Sequence, residues 1–169
     1  GNRTRMIAVG ASQTIIISSN NGVAWAASPT TPPSGVVSYS SSEVVGIGIF
    51  VGTLTTGQVY YSPDAGASWY LILDLGTGAI SDIYFVNAYQ GYVIFNPTGQ
   101  NARIYDTFTG GYSWWNTSPA VEQLGSITSI ARIAAPVVGV ETNKVNYVAA
   151  AGNASSTIGL LLTAVPNVF

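Results

Sequence analysis

An all-β, propeller-like array of four-stranded antiparallel blades, about three and a half to four of them in one domain, is the fold class this sequence predicts. Three observations carry the prediction. A short motif of hydroxyl, small polar residue, glycine and tryptophan recurs at Ser18/Asn20/Gly22/Trp25, Ser62/Asp64/Gly66/Trp69 and Thr107/Thr109/Gly111/Trp114. Its tryptophans lie 44 and then 45 residues apart, a period at which each repeat is one unit stacked on its neighbours. Between the motifs run short stretches rich in β-formers, bounded by Gly, Pro, Asn and Ser, with no sustained helical period.

Each position of the motif has a physical task. A short polar side chain at Asp64 or Asn20 accepts hydrogen bonds from main-chain N–H groups two residues on and closes a tight turn locally. Gly22, Gly66 and Gly111 supply the positive φ that such a turn requires. Trp25, Trp69 and Trp114 then return to the sheet and wedge against a neighbouring unit. The full form Ser62-x-Asp64-x-Gly66-x-x-Trp69 resembles the Asp-box of the BNR and sialidase-like β-propellers, and the other two resemble decayed copies. The resemblance covers residues 6 to 163 and implies a structural turn on the blade periphery, away from the central funnel where ligands of that family bind. Thr109 departs from the acidic position, so the third turn is expected to be the weakest.

The elements follow in order. Met6 to Ala11, Gln13 to Ser18 and a segment from Trp25 form a first unit (6–28) that lacks an opening strand, and Pro29, Pro32 and Pro33 make a crossing loop because proline cannot donate to a ladder. The second unit (36–75) has strands at Val36 to Ser40, Gly46 to Gly52, Gln58 to Ser62 and Trp69 to Leu73, with an inner turn at Gly57. The third (80–118) has Ile80 to Val86, Gly91 to Asn96, Ala102 to Thr107 and Trp114 to Thr117, with Asn96-Pro97-Thr98-Gly99 in a hairpin. In the fourth (126–169), Ser126 to Ala134, Tyr147 to Ala151 and Thr157 to Thr163 are three strands, a long loop spans Ala135 to Asn146, and no closing strand follows. Incomplete end units present strand edges that proteins rarely leave bare. A small four-bladed ring, a portion of a longer chain and chains that complete one another all satisfy this count.

Composition narrows the function classes. With 47% hydrophobic residues, 169 residues suffice for one domain with a core. Charged residues are only 7%, against about a quarter in ordinary soluble domains. The charge-free run from Arg5 to Glu43 is interrupted by Ser, Asn, Gly and Pro, so it is no membrane span. Five scattered basic residues and a net charge of −2 give no footprint for nucleic acid. The chain has no Cys and no His, which removes disulfides, thiol nucleophiles and the commonest transition-metal ligands, and no metal or other cofactor is expected.

The resemblance to sialidase-like propellers raises catalysis as a third reading, because that family uses an arginine cluster, a tyrosine assisted by a glutamate, and an aspartate. Arg103 and Arg132 are followed by Ile104-Tyr105 and Ile133-Ala134, so neither carries the family's short arginine motif. Glycoside hydrolysis needs two facing carboxylates; Asp82 and Asp106 could face one another across adjacent strands, and their spacing fits two solvated charges equally well. Trp115 follows Trp114, and alternation sends the two to opposite faces, leaving one exposed. Trp115, Tyr112 and Tyr89 are therefore the candidate glycan or partner contacts. The leading expectation is a non-enzymatic structural or adhesion module of an extracellular assembly, a virion or phage component, acting with other protein subunits as a homo-oligomer or larger assembly. A carbohydrate-binding propeller is the alternative.

Overall fold

The computed structural model describes residues 5–33, 38–117, 126–133, 147–152 and 159–161, with backbone alone beyond residue 129. Every described element of regular structure is a strand, and the strands form four antiparallel sheets in chain order. The first sheet holds β1 (Met6–Val9), β2 (Ile15–Ser18) and β3 (Ala26–Ala27). The second holds β4 (Tyr39–Val45), β5 (Gly48–Thr53), β6 (Gln58–Ser62) and β7 (Tyr70–Asp74). The third holds β8 (Gly78–Phe85), β9 (Gly91–Pro97), β10 (Arg103–Thr107) and β11 (Trp115–Asn116), and the fourth β12 (Ile127–Ile133), β13 (Tyr147–Gly152) and β14 (Gly159–Leu161). Each sheet is an up-and-down meander, so one repeat of sequence builds one blade.

The expected opening strand of the second blade moves. Val36 to Ser40 was the sequence-based position, and the strand instead runs Tyr39–Val45, through three successive serines and Glu43. Two of those hydroxyls are satisfied by the next blade: Ser40 Oγ and Ser41 Oγ donate to Ile80 O at 2.7 and 2.9 Å. The loop expected at Ala135 to Asn146 and the tail beyond Leu161 lie outside the described residues.

Alternation along the strands sends successive side chains to opposite faces of each blade, and both faces of the middle blades are apolar. Between blades one and two, Ile15, Tyr39, Ile49, Val51, Tyr60 and Trp69 are buried together. Between blades two and three, Phe50, Val59, Ile80, Ile83, Phe85, Val93 and Phe95 form the next layer. Phe50 stacks on Phe85 with ring centroids 4.4 Å apart, an arrangement adding about 0.5–1.5 kcal/mol beyond area burial. Tyr92, Ile94, Ala102 and Ile104 of blade three meet Ile127 of blade four. The first strands pack on one another as well, β4 on β8 and β8 on β12, and each also meets the second strand of the preceding blade.

Candidate functional site

The three repeated turns close in the same way. Ser18 Oγ accepts the N–H groups of Asn20 and Gly22 and donates to Asn20 Oδ1 at 2.9 Å. Ser62 Oγ accepts from Asp64 and Gly66 and donates to Asp64 Oδ1 at 2.9 Å. Thr107 Oγ1 accepts from Thr109 and Gly111 and lies 3.2 Å from Thr109 Oγ1. All three hydroxyls have no exposed surface. The small polar residue does not take the N–H two residues on, as the sequence reading had it. It accepts from four residues on, Ala24 N to Asn20 at 2.9 Å, Ser68 N to Asp64 at 2.8 Å and Ser113 N to Thr109 at 2.8 Å. The nearer N–H groups belong to the buried hydroxyl, which is the hub of the turn.

The chain reverses through two consecutive left-handed residues, Asn21-Gly22, Ala65-Gly66 and Gly110-Gly111. At Gly66 there is also no room for a side chain, because a Cβ would lie 2.2 Å from Ser28 Oγ of the preceding blade. Asp64 is held below the usual aspartate range, first by the Ser68 hydroxyl (2.6 Å) and then by the Ser68 N–H. Thr109 keeps the same acceptor geometry without the charge.

The tryptophans divide. Trp69 is 9% exposed and its indole donates to Thr30 O at 3.2 Å, on the preceding blade's crossing loop. That loop is itself fastened to the turn, with Thr30 N, Thr30 Oγ1 and Ser28 Oγ all donating to Gly66 O at 3.1, 2.9 and 3.2 Å. Trp114 is half-buried against blade two, edge-on to Phe85 at 6.3 Å. Trp25, expected to wedge against a neighbour, is instead 40% exposed, because no described blade precedes it. Its indole and that of Trp114 turn back to the glycine carbonyl of their own turns, at 3.1 and 3.0 Å.

Trp25 belongs to an open face. Strand register makes Met6, Ala8, Ile16 and Trp25 of blade one the counterparts of Ile49, Val51, Tyr60 and Trp69 of blade two. The blade-two set is buried against blade one, whereas Met6 is 44% exposed and Ala8 is also open. The outer edge of β1 borders the same end, and among the described residues β1 pairs with β2 alone. Beside that edge is a groove of about 290 Å³ lined by Arg5, Met6, Ile7, Ser42, Glu43 and Val44.

A second exposed region is aromatic. Trp115 is 49% exposed beside Phe108, with ring centroids 6.5 Å apart. Gly110 N donates to Tyr89 O at 2.7 Å, which brings the Tyr89 loop to the third turn. Tyr89 and Tyr112 are 71% and 85% exposed. The opposite placement of Trp114 and Trp115 follows the expected alternation. Tyr112 sits on the side of Tyr61 in blade two and makes no ring contact with Trp115 among the described residues. Sequence reasoning missed Phe108, which no motif position flags.

The acidic candidates do not converge. Asp82 and Asp106 are on β8 and β10, and β9 runs between them. Asp106 is 5% exposed, its Oδ1 has no hydrogen-bond partner among the described residues, and burial pushes its carboxyl above the usual range. Arg103 is engaged with Gln100 Oε1 at 2.6 Å. Among the described residues no three acidic side chains gather as a metal site would require.

No family model matches the chain, and no curated protein does. Solved structures do. The chain is similar to YCF48 bound to D1 peptide, with a TM-score of 0.61 and 17% identity over 94% of this chain and 52% of that one. It is also similar to an ancestral GH74 enzyme, with a TM-score of 0.55 and 19% identity over 95% of this chain and 24% of that one. Both are propellers, and likeness at this identity is one of fold: the chain is a β-propeller-like array that spans about half the length of the first and a quarter of the second.

Proposed function

We propose that the chain is a non-catalytic assembly module of the Asp-box propeller class, working in an extracellular structure such as a virion or phage surface, where its exposed blade face is completed by another protein subunit. One observation carries the reading: Met6, Ala8 and Trp25 are exposed where their counterparts Ile49, Val51 and Trp69 are buried. A sheet face patterned for burial and left open marks a contact surface. A charge content of 7% agrees with this, since few Lys or Glu residues guard the surface against pairing. The neighbour described with a bound peptide supplies a precedent for protein recognition by this fold.

Light scattering against concentration, paired with Trp25 fluorescence, is the test. Association that buries Trp25 and is weakened at least tenfold by Trp25→Glu supports the proposal. A chain that stays at 17.5 kDa with Trp25 in water and turns over a fluorogenic glycoside defeats it.

Carbohydrate binding is the second reading, favoured by the open ring pair Phe108 and Trp115 with Tyr89 nearby, because aromatic faces stack on sugar rings. Glycan-array binding abolished by Trp115→Ala and unaffected by Trp25→Glu would select it.

A further inference from the structure

Beyond the assembly reading above, and apart from the face around Trp25, we propose that the rim between blades two and three is a binding site for an arginine side chain of a partner protein, formed by Tyr61, Tyr70 and Tyr112 beside the charge of Asp64.

The first two junctions of the array follow one plan. On blade one, Ile17 and Ala26 are cross-strand partners, and the turn of blade two lies on them, a Cβ at Gly66 falling 3.1 Å from Ile17. One repeat later the partners are Tyr61 and Tyr70, and the turn of blade three lies on the same face. A Cβ at Gly111 falls 3.2 Å from Phe50, which pairs with Tyr61, and 3.2 Å from Ile72, two residues on from Tyr70. The residue after the turn glycine is Ala67 at the first junction and Tyr112 at the second. Ile17, Ala26 and Ala67 thus give way to Tyr61, Tyr70 and Tyr112 at matched positions. Since the first junction closes with the smaller set, the fold does not need three phenol rings at the second.

The rings present faces to solvent. Tyr70 is 57% exposed and Tyr112 more so, while Tyr61 is half-buried with its ring 4.6 Å from that of Phe50. Among the described residues none of the three stacks on another. The charge comes from Asp64. Its carboxylate is kept ionised by neutral partners, the hydroxyl and N–H of Ser68 and the hydroxyl of Ser62, so no basic group among the described residues cancels it. Tyr61 senses the others: its hydroxyl is raised first by burial, then by Tyr112 and then by Asp64, which puts both beside it. A carboxylate bordered by phenol faces attracts a cation, because each ring face is negative as well. Arginine suits the site better than lysine, since its planar, weakly hydrated guanidinium stacks on a phenol while its N–H groups reach a carboxylate.

The test titrates the chain with a capped Gly-Arg-Gly peptide and with the same peptide carrying citrulline, a neutral isostere, and follows the ring resonances of the three tyrosines. The arginine peptide is expected to shift all three saturably and to bind at least about fivefold more tightly than the citrulline peptide. The repeat itself supplies variants that keep the fold. Asn20 makes in the first turn the bonds that Asp64 makes in the second, so Asp64→Asn removes the charge and keeps the turn, and affinity for the arginine peptide should fall roughly fivefold. Tyr70→Ala and Tyr112→Ala copy Ala26 and Ala67, and each should weaken binding roughly two- to fivefold at an unchanged melting temperature. Trp25→Glu should leave the titration as it was. Absence of a saturable shift with the arginine peptide overturns the site, while association that buries Trp25 keeps the assembly reading standing. Equal affinity for the citrulline peptide overturns it as well, as does glycan binding that Tyr70→Ala and Tyr112→Ala abolish and Asp64→Asn spares.

Discussion

The turns around Trp25 and Trp69 have the same internal bonds and opposite surroundings. In each, a buried serine collects two N–H groups, a small polar residue collects a third, and two left-handed residues reverse the chain. Of these two, only the second has a described blade before it, and there the indole leaves its own glycine carbonyl, which the crossing loop takes over, and reaches Thr30 instead. The difference separates two sources of stability: the turn is local, whereas the burial of its tryptophan is lent by the neighbour.

The largest expected effect follows directly. Trp69→Ala should lower the unfolding free energy by roughly 3–5 kcal/mol, while Trp25→Ala should cost no more than about 1 kcal/mol, both read from denaturant melts. Equal losses would mean that Trp25 is covered in solution. Ser62→Ala and Ser18→Ala should instead resemble one another, each about 1–3 kcal/mol, because each strands buried N–H groups whatever the neighbours are. A cost at Ser62 alone would show that the turn depends on the crossing loop.

Protonation sharpens the contrast further. The Asp64 carboxyl is depressed in the folded chain, so its contribution is full above the unfolded value, about 3.9, and is lost as pH falls through the folded value. The Ser68 amide resonance should shift in that acidic range and the Ala24 amide, bonded to neutral Asn20, should not. Asp106 has the opposite sign. With its folded value raised by burial, stability is lost as pH rises from the unfolded value through the folded one. Asp106→Asn should raise the melting temperature at neutral pH by about 2–4 °C, on the order of 1 kcal/mol, and leave it little changed in acid. Smallest is Tyr39→Phe. The Tyr39 hydroxyl is buried without a partner among the described residues and pushed up to about 12, first by desolvation, so its removal should be neutral or stabilising by less than about 1 kcal/mol in the same melts.

The blade count, the strand order and the turn positions were legible because each is written locally. Hydroxyl, small polar residue and glycine lie within four residues of one another, and alternation separates Trp114 from Trp115. What escaped was non-local. The opening strand of blade two was expected to end at Ser40, and its run through Ser41 and Ser42 to Val45 is understood only once Ile80 O is known to receive the Ser40 and Ser41 hydroxyls. The exposure of Trp25 depends on a neighbour rather than on its motif, and Phe108 meets Trp115 across the turn, outside the motif positions. Spacing did not favour a pairing of Asp82 with Asp106, and β9 lies between their strands.

The fastening of Thr30 to Gly66 spans 36 residues, and it orders events while the chain is being made. Blade one can close its own hairpins as it emerges, since their bonds are short in sequence. The crossing loop must wait for Gly66, and the Ile15 layer for Ile49 and Tyr60. Until then the face of blade one toward blade two stays open, and the arrival of the second turn hides it while pinning the loop across it. Synthesis from the N-terminus thus completes this stack in one direction, each new blade acting as the lid of the one before.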